Sequence, residues 1–515
     1  MNSIKTMRWV LIRPLNRSLF YDPEIQEPLG LEYLSATLKK SGCQVLLLDS
    51  ALNNLHDIKL ARRVASFQPD AIGFSITTDR ELESVNAIYT TCKEILHDKQ
   101  LFWIAGGNYA TSEFNNACKV LPTEMHILKY EGEVSIKKIC SLWMDGLIDT
   151  LPRVIHGEPA VLDELPFPER PYHHYVLNFG FAFNVQGSRG CCSACKYCAS
   201  KGMRGGKLYS WRGRSPENMV SELAYLYQNY GARSFNFVDE DFLGPPAGAL
   251  ERSERFMNEI KKHNLKITIG IQVRPNSLSE KIIDNLYASG LTYVFMGIES
   301  DNPEDFKKWG RSFCKDTWQL VDCLQQRGIE INAGTLLFHP DCTFEGIRNF
   351  SVRLRQYGLL NSRTATNRLD AMPGSFFYEQ YFSEHPEDKT QGVIRLPFKN
   401  PDIEPFFQIV REVLAPIEIP SMHALCIMPI IQTGRVFENL EEKYQLLKSI
   451  NSDCDDQVSS CFFSVLEMFE NDCYSRPEID SMINNNIEFG KITMDRLIKS
   501  GFHENLSHSS TNLFG

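Results

Sequence analysis

The sequence predicts an α/β protein with three parts: a doubly wound parallel sheet, a partial (β/α)6 barrel and a helical C-terminal region. Residues 7–145 and residues 181–385 each alternate short apolar runs with amphipathic stretches, a pattern typical of parallel strands joined by helices. Residues 162–171 between them are rich in proline, and the alternation ends beyond residue 385. These changes predict domains at 1–145, 181–385 and 386–515, with a linker at 146–180.

The composition suits large packed cores and favours neither a nucleic-acid nor a membrane partner. The chain has 515 residues, of which 43% are hydrophobic, and a formal net charge of −10, whereas a nucleic-acid-binding surface would be basic. It lacks a run of about 18 uncharged apolar residues, and its first residues do not resemble a secretory signal. Fifteen cysteines without such a signal lead us to expect a reducing cytoplasm.

In the first region, apolar runs and helical patterns follow each other in strict turn. The strands are predicted at Trp9–Ile12, Gln44–Leu48, Ala71–Ser75 and Leu101–Ala105, and the helices at Leu31–Ser41, Ile58–Phe67 and Arg80–His97. Ligands of such sheets sit beyond the carboxyl ends of the strands. The loops that follow these strands are therefore the candidate binding loops.

The second region predicts six strands and a reaction site at their carboxyl ends, because barrels of this kind place their chemistry there. The strands are predicted at Phe181–Gln186, Ser234–Val238, Thr268–Val273, Tyr293–Met296, Asn332–Phe338 and Thr366–Asp370. Helical patterns at Ile403–Leu414, Leu440–Ile450, Val458–Asn471 and Ile479–Ser500 predict a helical cap, with an apolar stripe at 462–469 as its core, and His508–Gly515 is expected to be disordered.

Three cysteines stand in C-x3-C-x2-C order, at Cys191, Cys195 and Cys198. A cubane iron–sulfur cluster normally takes four thiolates, so three on one loop leave one iron open for a ligand. A structural zinc site would need four ligands, usually as two separated pairs, and no second pair occurs. A disulfide framework suits small secreted domains rather than a chain of this length. Cys192 fits no place in the spacing and is interpreted as a bystander.

This segment resembles the radical S-adenosylmethionine (SAM) enzymes. The resemblance implies a [4Fe-4S] cluster on Cys191, Cys195 and Cys198, whose open iron binds SAM and whose electron cleaves it to a 5′-deoxyadenosyl radical. It also implies an electron donor such as flavodoxin or ferredoxin.

The strand ends of the second region match landmarks of the cobalamin-dependent radical SAM group. On that resemblance Asp239 or Glu240 would accept the amino group of SAM, and Arg274 would pair with its carboxylate. Glu299 would bind a ribose hydroxyl or the amino group, and Tyr197 would pack beside the adenine. For each acidic residue, a structural ion pair or a helix cap is the alternative.

The first region resembles the Rossmann-like cobalamin-binding domain found ahead of many radical SAM cores. The resemblance rests on the helix start at 28–34, the strand end at 75–78, the Gly-Gly turn at 106–107 and the Glu-Gly-Glu turn at 131–133. It implies cobalamin contacts from Ser75, Thr77, Gly106, Gly107 and Glu131. The family's D-x-H-x-x-G motif is missing, which implies a cobalt without a histidine ligand; the alternative is a flavodoxin-like domain that has lost the cofactor.

Taken together, the resemblance implies a cobalamin-dependent radical SAM enzyme that methylates an unactivated carbon of a small molecule or peptide. One SAM would methylate the cobalamin, and a second would supply the radical that activates the substrate carbon. Ring contraction, cyclisation or oxidation on the same scaffold is the alternative. Methylthio transfer is disfavoured because a second three-cysteine cluster is missing, and a non-enzymatic carrier or sensor is disfavoured because polar residues end most barrel strands.

Overall fold

Six parallel strands form the first sheet of the computed structural model, which describes residues 6–16, 26–178, 182–203, 210–388, 392–431 and 440–499. Its strands are β1 (Arg8–Arg13), β2 (Gln44–Asp49), β3 (Ala71–Ser75), β4 (Phe102–Gly106), β5 (His126–Lys129) and β6 (Val154–His156), in the spatial order β2-β1-β3-β4-β5-β6. β6 lies beyond the boundary predicted at residue 145, within the segment predicted as a linker.

Helices cover both faces of this sheet, as the doubly wound prediction requires. They are α1 (Leu29–Lys40), α2 (Asp57–Phe67), α3 (Leu82–Ile95), α4 (Asn108–Ser112), α5 (Phe114–Val120) and α6 (Glu133–Met144). Successive residues of β1 enter different cores, because side chains alternate across a strand. Val10 packs in the core that includes residues of α2 and α3, whereas Trp9 packs in the core that includes residues of α1 and α6.

The second sheet has five parallel strands, and a short antiparallel pair stands beside it. In chain order the strands are β7 (Phe183–Val185), β8 (Ser188–Arg189), β9 (Arg212–Gly213), β10 (Ser234–Phe237), β11 (Thr268–Val273), β12 (Leu291–Glu299) and β13 (Glu330–Thr335). The sheet has the order β13-β12-β11-β10-β7, and β8 pairs with β9. Of the first predicted strand, Phe181 lies outside the described residues.

The helices of this region are α7 (His173–Asn178), α8 (Ser200–Met203), α9 (Pro216–Asn229), α10 (Pro246–Lys262), α11 (Glu280–Ala288), α12 (Pro303–Lys308), α13 (Thr317–Gln326), α14 (Phe344–Gln356), α15 (Ser362–Thr366) and α16 (Phe376–Glu384).

The sixth barrel strand, predicted at Thr366–Asp370, is reduced to one bridge between Phe338 and Arg368. The preceding residues form α15 instead. Asn361 caps that helix: its side chain accepts a hydrogen bond from the N–H of Thr364 at 3.0 Å, and the hydroxyl of Thr364 accepts one from the N–H of Asn361 at 2.9 Å. These local hydrogen bonds start a helix whose last residue, Thr366, is the first residue of the predicted strand.

Three long helices follow: α17 (Ile403–Ile431), α18 (Leu440–Glu470) and α19 (Arg476–Leu497). The predicted apolar stripe is core, as expected, because Phe462, Val465 and Leu466 are buried and Phe406 of α17 packs edge-on against Phe462. The tail His508–Gly515 lies outside the described residues. No described helix is both long and apolar enough to cross a membrane.

Candidate functional site

The three motif cysteines occupy one loop between β8 and α8. Cys191 and Cys195 are half-buried, Cys198 is exposed, and all three are free thiols. Burial raises the pKa of Cys191 to about 12, so metal binding there would release a proton. Among the described residues no three His, Cys, Asp or Glu side chains converge on a position for a single metal ion.

Two consecutive carboxylates hold the two ends of this loop. Asp239 accepts hydrogen bonds from the N–H of Gly187 and the hydroxyl of Ser188, both at 2.8 Å. Glu240 accepts from the N–H of Gly190 at 2.6 Å and from the hydroxyl of Ser200 at 2.9 Å. Both residues were predicted as SAM contacts, and in the structure both orient the cysteine loop.

Asp239 is 1% exposed, and burial raises the pKa of its carboxyl to about 6. The hydrogen bonds from Gly187 and Ser188 act in the opposite direction and limit the rise.

Arg274 reaches the same loop from the end of β11. Its Nε donates to Asp241 Oδ2 at 2.8 Å, and one Nη donates to Cys192 Sγ at 2.7 Å and to the carbonyl of Gly244 at 3.1 Å. Asp241 is fully buried, and burial raises the pKa of its carboxyl although Arg274 lowers it. Cys192, interpreted from sequence as a bystander, is therefore bound by the predicted SAM-carboxylate partner.

Glu299 and Tyr197 meet at Arg311, a residue that the sequence analysis missed. One Nη of Arg311 lies 2.7 Å from Glu299 Oε1 and 3.1 Å from the hydroxyl of Tyr197, and 4.0 Å from the sulfur of Cys195. Glu299 has a φ of 65° at the end of β12, and burial raises the pKa of its carboxyl. The ring of Tyr197 packs edge-on against Trp309, with centroids 6.0 Å apart.

The space for this cluster depends on Gly297. A Cβ at Gly297 would lie 2.5 Å from Glu299 Oε1 and 2.7 Å from a guanidinium nitrogen of Arg311. Any other residue would thus displace the two charged groups.

Four of the predicted cobalamin contacts lie together at the carboxyl ends of β3 and β4. Ser75 is paired in register with Gly106. Gly107 has a φ of 102°, and a Cβ there would lie 2.4 Å from the carbonyl oxygen of Ile76. The hydroxyl of Thr77 donates to Glu81 at 2.7 Å. Glu81 directly precedes α3, so the hydroxyl of Thr77 is engaged at the start of that helix.

The fifth predicted contact, Glu131, lies at the boundary between the two sheets. It pairs with Arg189 at 2.9 Å and with Arg212, and it accepts a hydrogen bond from the N–H of Ala160 at 3.1 Å. Arg189 also pairs with Glu133 at 2.6 Å. Because Arg189 comes two residues before Cys191, the first sheet is tied directly to the cysteine loop.

The loops of the first sheet also touch the other side of the cysteine loop. α4, which follows the Gly106-Gly107 turn, packs against α8, which follows Cys198. Next to it, the hydroxyl of Tyr378 in α16 donates to Glu113 at 3.3 Å. The candidate binding loops of both sheets therefore border one region, with the three cysteines between them.

A second ion-pair group, which we name the Arg170 cluster, joins the sheets on the side of α1. It consists of Arg170, Glu27, Glu32 and Glu222, and every side chain in it is at most 2% exposed. The guanidinium of Arg170 lies 3.1 Å from Glu27 and Glu222 and 3.3 Å from Glu32, and it donates to the carbonyl of Asn184 at 2.8 Å. Burial raises the pKa of Glu32 well above its ordinary value.

Sequence reasoning missed Arg170, Arg189 and Arg311, for a common reason. Each is a single arginine in a loop or a two-residue strand, and its carboxylate partners lie from 12 to 143 residues away in the chain. A weak signal existed for Arg189 alone, which stands inside the turn that leads to Cys191.

Comparisons with known proteins agree with this architecture. The model of the radical SAM superfamily matches residues 185–350. An uncharacterised methyltransferase of Pyrococcus horikoshii is 26% identical over 339 residues, which cover 62% of this chain and 71% of that protein. The anaerobic magnesium-protoporphyrin IX monomethyl ester cyclase of Synechocystis is 25% identical over 54% of this chain, and the match spans 58% of that relative, less than two thirds of its length.

A solved structure extends the likeness to both sheets. The cobalamin-dependent SAM radical enzyme OxsB, with aqua-cobalamin and SAM bound, superposes with a TM-score of 0.68 at 15% identity and covers 95% of this chain and 84% of that one. Residues 185–350 therefore match the radical SAM superfamily, and the chain as a whole has the fold seen in OxsB.

Proposed function

We propose that this protein uses a [4Fe-4S] cluster, SAM and cobalamin to methylate an unactivated carbon of a small molecule or peptide. The observation that carries the proposal is the position of the cysteine loop. It contacts the first sheet's loops through Arg189 and α8, and the strand end of β10 through Asp239 and Glu240. A radical formed beside the cysteines and a methyl group held over the first sheet would then reach the same substrate. The Pyrococcus relative, a methyltransferase by name, supports this choice.

The donor set suits an iron–sulfur cluster with one open iron. Cys191, Cys195 and Cys198 supply three thiols on one short loop, and such a cluster supplies a low-potential electron. The protein itself fixes the loop, through Asp239 and Glu240 at its ends. Flavodoxin or ferredoxin would serve as the electron donor.

Around SAM, we assign Glu299, Tyr197 and Arg311, whose guanidinium joins the other two and lies 4.0 Å from the sulfur of Cys195. Arg274 remains a candidate for the carboxylate, since its second Nη makes no hydrogen bond among the described residues, while its other nitrogens hold Asp241 and Cys192. Asp239 is committed to Gly187 and Ser188, so we propose an orienting role for it instead of contact with SAM.

For cobalamin, the residues that fit are Ser75, Gly106 and Gly107. The half-buried hydroxyl of Ser75 makes no hydrogen bond among the described residues, and the two glycines present no side chain to a ligand. Thr77 and Glu131 are engaged by Glu81 and by two arginines. We therefore propose a cobalamin site narrower than the five residues predicted.

A reaction that moves no methyl group is the second candidate. The Synechocystis relative is named a cyclase, so a cyclisation on the same scaffold has a direct parallel among the similar proteins. The two candidates differ in whether a methyl group leaves SAM.

The first test is iron and cobalt analysis of protein reconstituted anaerobically with and without hydroxocobalamin. We expect about four irons per chain and one cobalt. Single Cys→Ser substitutions at Cys191, Cys195 and Cys198 should each lose most of the iron and abolish formation of 5′-deoxyadenosine.

The matched control is Cys192→Ser, which changes the neighbouring thiol and should keep the iron. Iron loss in C192S equal to that in C191S would contradict the ligand assignment. Full iron without any retained cobalt would refute methyl transfer through cobalamin and favour a simpler radical reaction.

A further inference from the structure

Two thiols outside the candidate site face each other on the side of the first sheet that α1 and α6 cover. The sulfur atoms of Cys43 and Cys140 lie 3.5 Å apart, although 97 positions separate them in sequence. Both cysteines are free. In the described part of the chain, this is the one pair of cysteine sulfurs at hydrogen-bond distance.

Both residues are held firmly by their surroundings. Cys43 follows α1, and its N–H donates to the carbonyl of Leu38 at 3.0 Å. Gly42 before it has a φ of 84°, as a residue that ends a helix often does. Cys140 lies on α6 and is 2% exposed, in the core that includes Trp9. A disulfide needs sulfurs about 2.05 Å apart, so rotation of the two side chains would have to close about 1.5 Å.

We propose that Cys43 and Cys140 form a redox modification site, which a low-molecular-weight disulfide such as oxidised glutathione converts to an intramolecular disulfide. The Cys43 thiolate attacks one sulfur of oxidised glutathione, which forms a mixed disulfide and releases one glutathione thiolate. The Cys140 thiolate then attacks the sulfur of Cys43 and releases the second glutathione. The protein pair loses two electrons and two protons, and the glutathione disulfide is reduced to two thiols.

The order of the two steps follows from exposure and from the hydrogen bond between the thiols. Cys43 is half-buried and open to the oxidant, whereas Cys140 is enclosed. The hydrogen bond from Cys140 lowers the pKa of Cys43, and the same contact together with burial raises the pKa of Cys140. Cys43 is thus the attacking thiol and Cys140 the resolving one.

The bond would join two helices that both begin at the boundary between the sheets. α1 carries Glu32 of the Arg170 cluster in its first turn, and α6 begins with Glu133, which binds Arg189. The disulfide would join Cys43, which follows the end of α1, to the second half of α6. The inference rests on this geometry and does not depend on the proposed reaction.

The test is peptide mapping of the reconstituted protein. The protein is incubated anaerobically with oxidised glutathione, quenched with N-ethylmaleimide and digested without reductant. We expect a Cys43–Cys140 linked peptide pair that dithiothreitol separates. C140S should accumulate the glutathione adduct on Cys43, C43S should leave Cys140 unmodified, and the control C118S should keep the linked pair.

Cys473, which is exposed, reports whether the oxidant has acted. If Cys473 carries glutathione while Cys43 and Cys140 are recovered only as separate alkylated peptides, the proposal is wrong. A glutathione adduct that persists on Cys43 of the wild-type protein would equally overturn it, since the resolving step would then be absent. Both readings come from the unmutated chain, so misfolding of a variant cannot obscure them.

Discussion

Asp239 and Glu240 are consecutive carboxylates with different electrostatic surroundings. Asp239 is enclosed and its carboxyl has a pKa near 6, whereas Glu240 is half-buried. Both bind the backbone of the cysteine loop. The sequence revealed the pair as the polar end of a strand, but it could not reveal which groups the carboxylates bind, because those groups lie about 40 to 50 residues earlier in the chain.

The raised pKa of Asp239 predicts how the stability of the protein depends on pH. The folded state keeps a proton on this carboxyl between about pH 4 and 6, whereas the unfolded state has lost it, so stability falls as pH rises through this window. Above pH 6 the buried charge costs up to about 3 kcal/mol. We expect the melting temperature of D239N, relative to wild type, to rise between pH 4.5 and pH 7.

Thermal unfolding of the two proteins across this range measures the effect. Glu240→Gln is the control, because it removes the neighbouring carboxylate, which is half-buried and not enclosed. A difference between D239N and wild type that stays constant with pH would show that Asp239 has no raised pKa.

At the scale of elements, the strand–turn–helix unit around Gly107 depends on close backbone contact. The N–H of Ile76 donates to the carbonyl of Gly106 at 2.8 Å, and the N–H of Tyr109 donates to the carbonyl of Ile76 at 3.1 Å. These bonds join the loops after β3 and β4, which are the proposed cobalamin loops. Only glycine combines the positive φ of residue 107 with its distance to Ile76.

Gly107→Ala should therefore destabilise the protein by roughly 2 kcal/mol or more. It should also reduce cobalt retention more than iron retention, because the cysteine loop lies in the other sheet's region. Gly30→Ala is the matched control: it lies in α1 with no atom within 4 Å of the added Cβ. Melting temperatures and metal content check both effects, and equal loss of iron and cobalt would contradict the local explanation.

Elements with a regular apolar period were predictable, and elements set by local side-chain hydrogen bonds were not. Two strands, Ala71–Ser75 and Thr268–Val273, have the predicted bounds. Of the strand predicted at Thr366–Asp370, Thr366 ends α15, whose start Asn361 and Thr364 cap, and Arg368 makes a single bridge. The helices predicted at Leu440–Ile450 and Val458–Asn471 are one helix, α18, since the polar residues between them interrupt the apolar pattern without ending the helix.

The candidate site was likewise predictable from sequence only in part. The cysteine motif has a fixed spacing and was recognisable from sequence. The partners of Glu131 and Glu299 were not, because an ion pair between distant loops leaves no periodic pattern. Across the whole molecule, arginine contacts of this kind join the two sheets.

At the scale of the molecule, Arg170→Ala should weaken the joint between the sheets. Removal of the guanidinium leaves Glu27, Glu32 and Glu222 as buried carboxyl groups without their partner, which typically costs about 3–5 kcal/mol. We expect a lower melting temperature and faster proteolytic cleavage near the linker. Arg255→Ala is the control, because Arg255 and Glu217 form an exposed pair that contributes at most about 1 kcal/mol.

Differential scanning calorimetry compares the melting temperatures of the two variants, and limited proteolysis compares their rates of cleavage. If R170A melts and resists protease like R255A, the Arg170 cluster does not contribute to the joint.

The Arg170 cluster also has a consequence for synthesis on the ribosome. Its members are translated in the order Glu27, Glu32, Arg170 and Glu222, and at about 5–20 residues per second the interval from Glu32 to Glu222 lasts roughly 10–40 s. During that interval the two early carboxylates have no complete set of partners to be buried with. Final closure of the N-terminal sheet onto the rest of the protein therefore waits until α9 has left the exit tunnel.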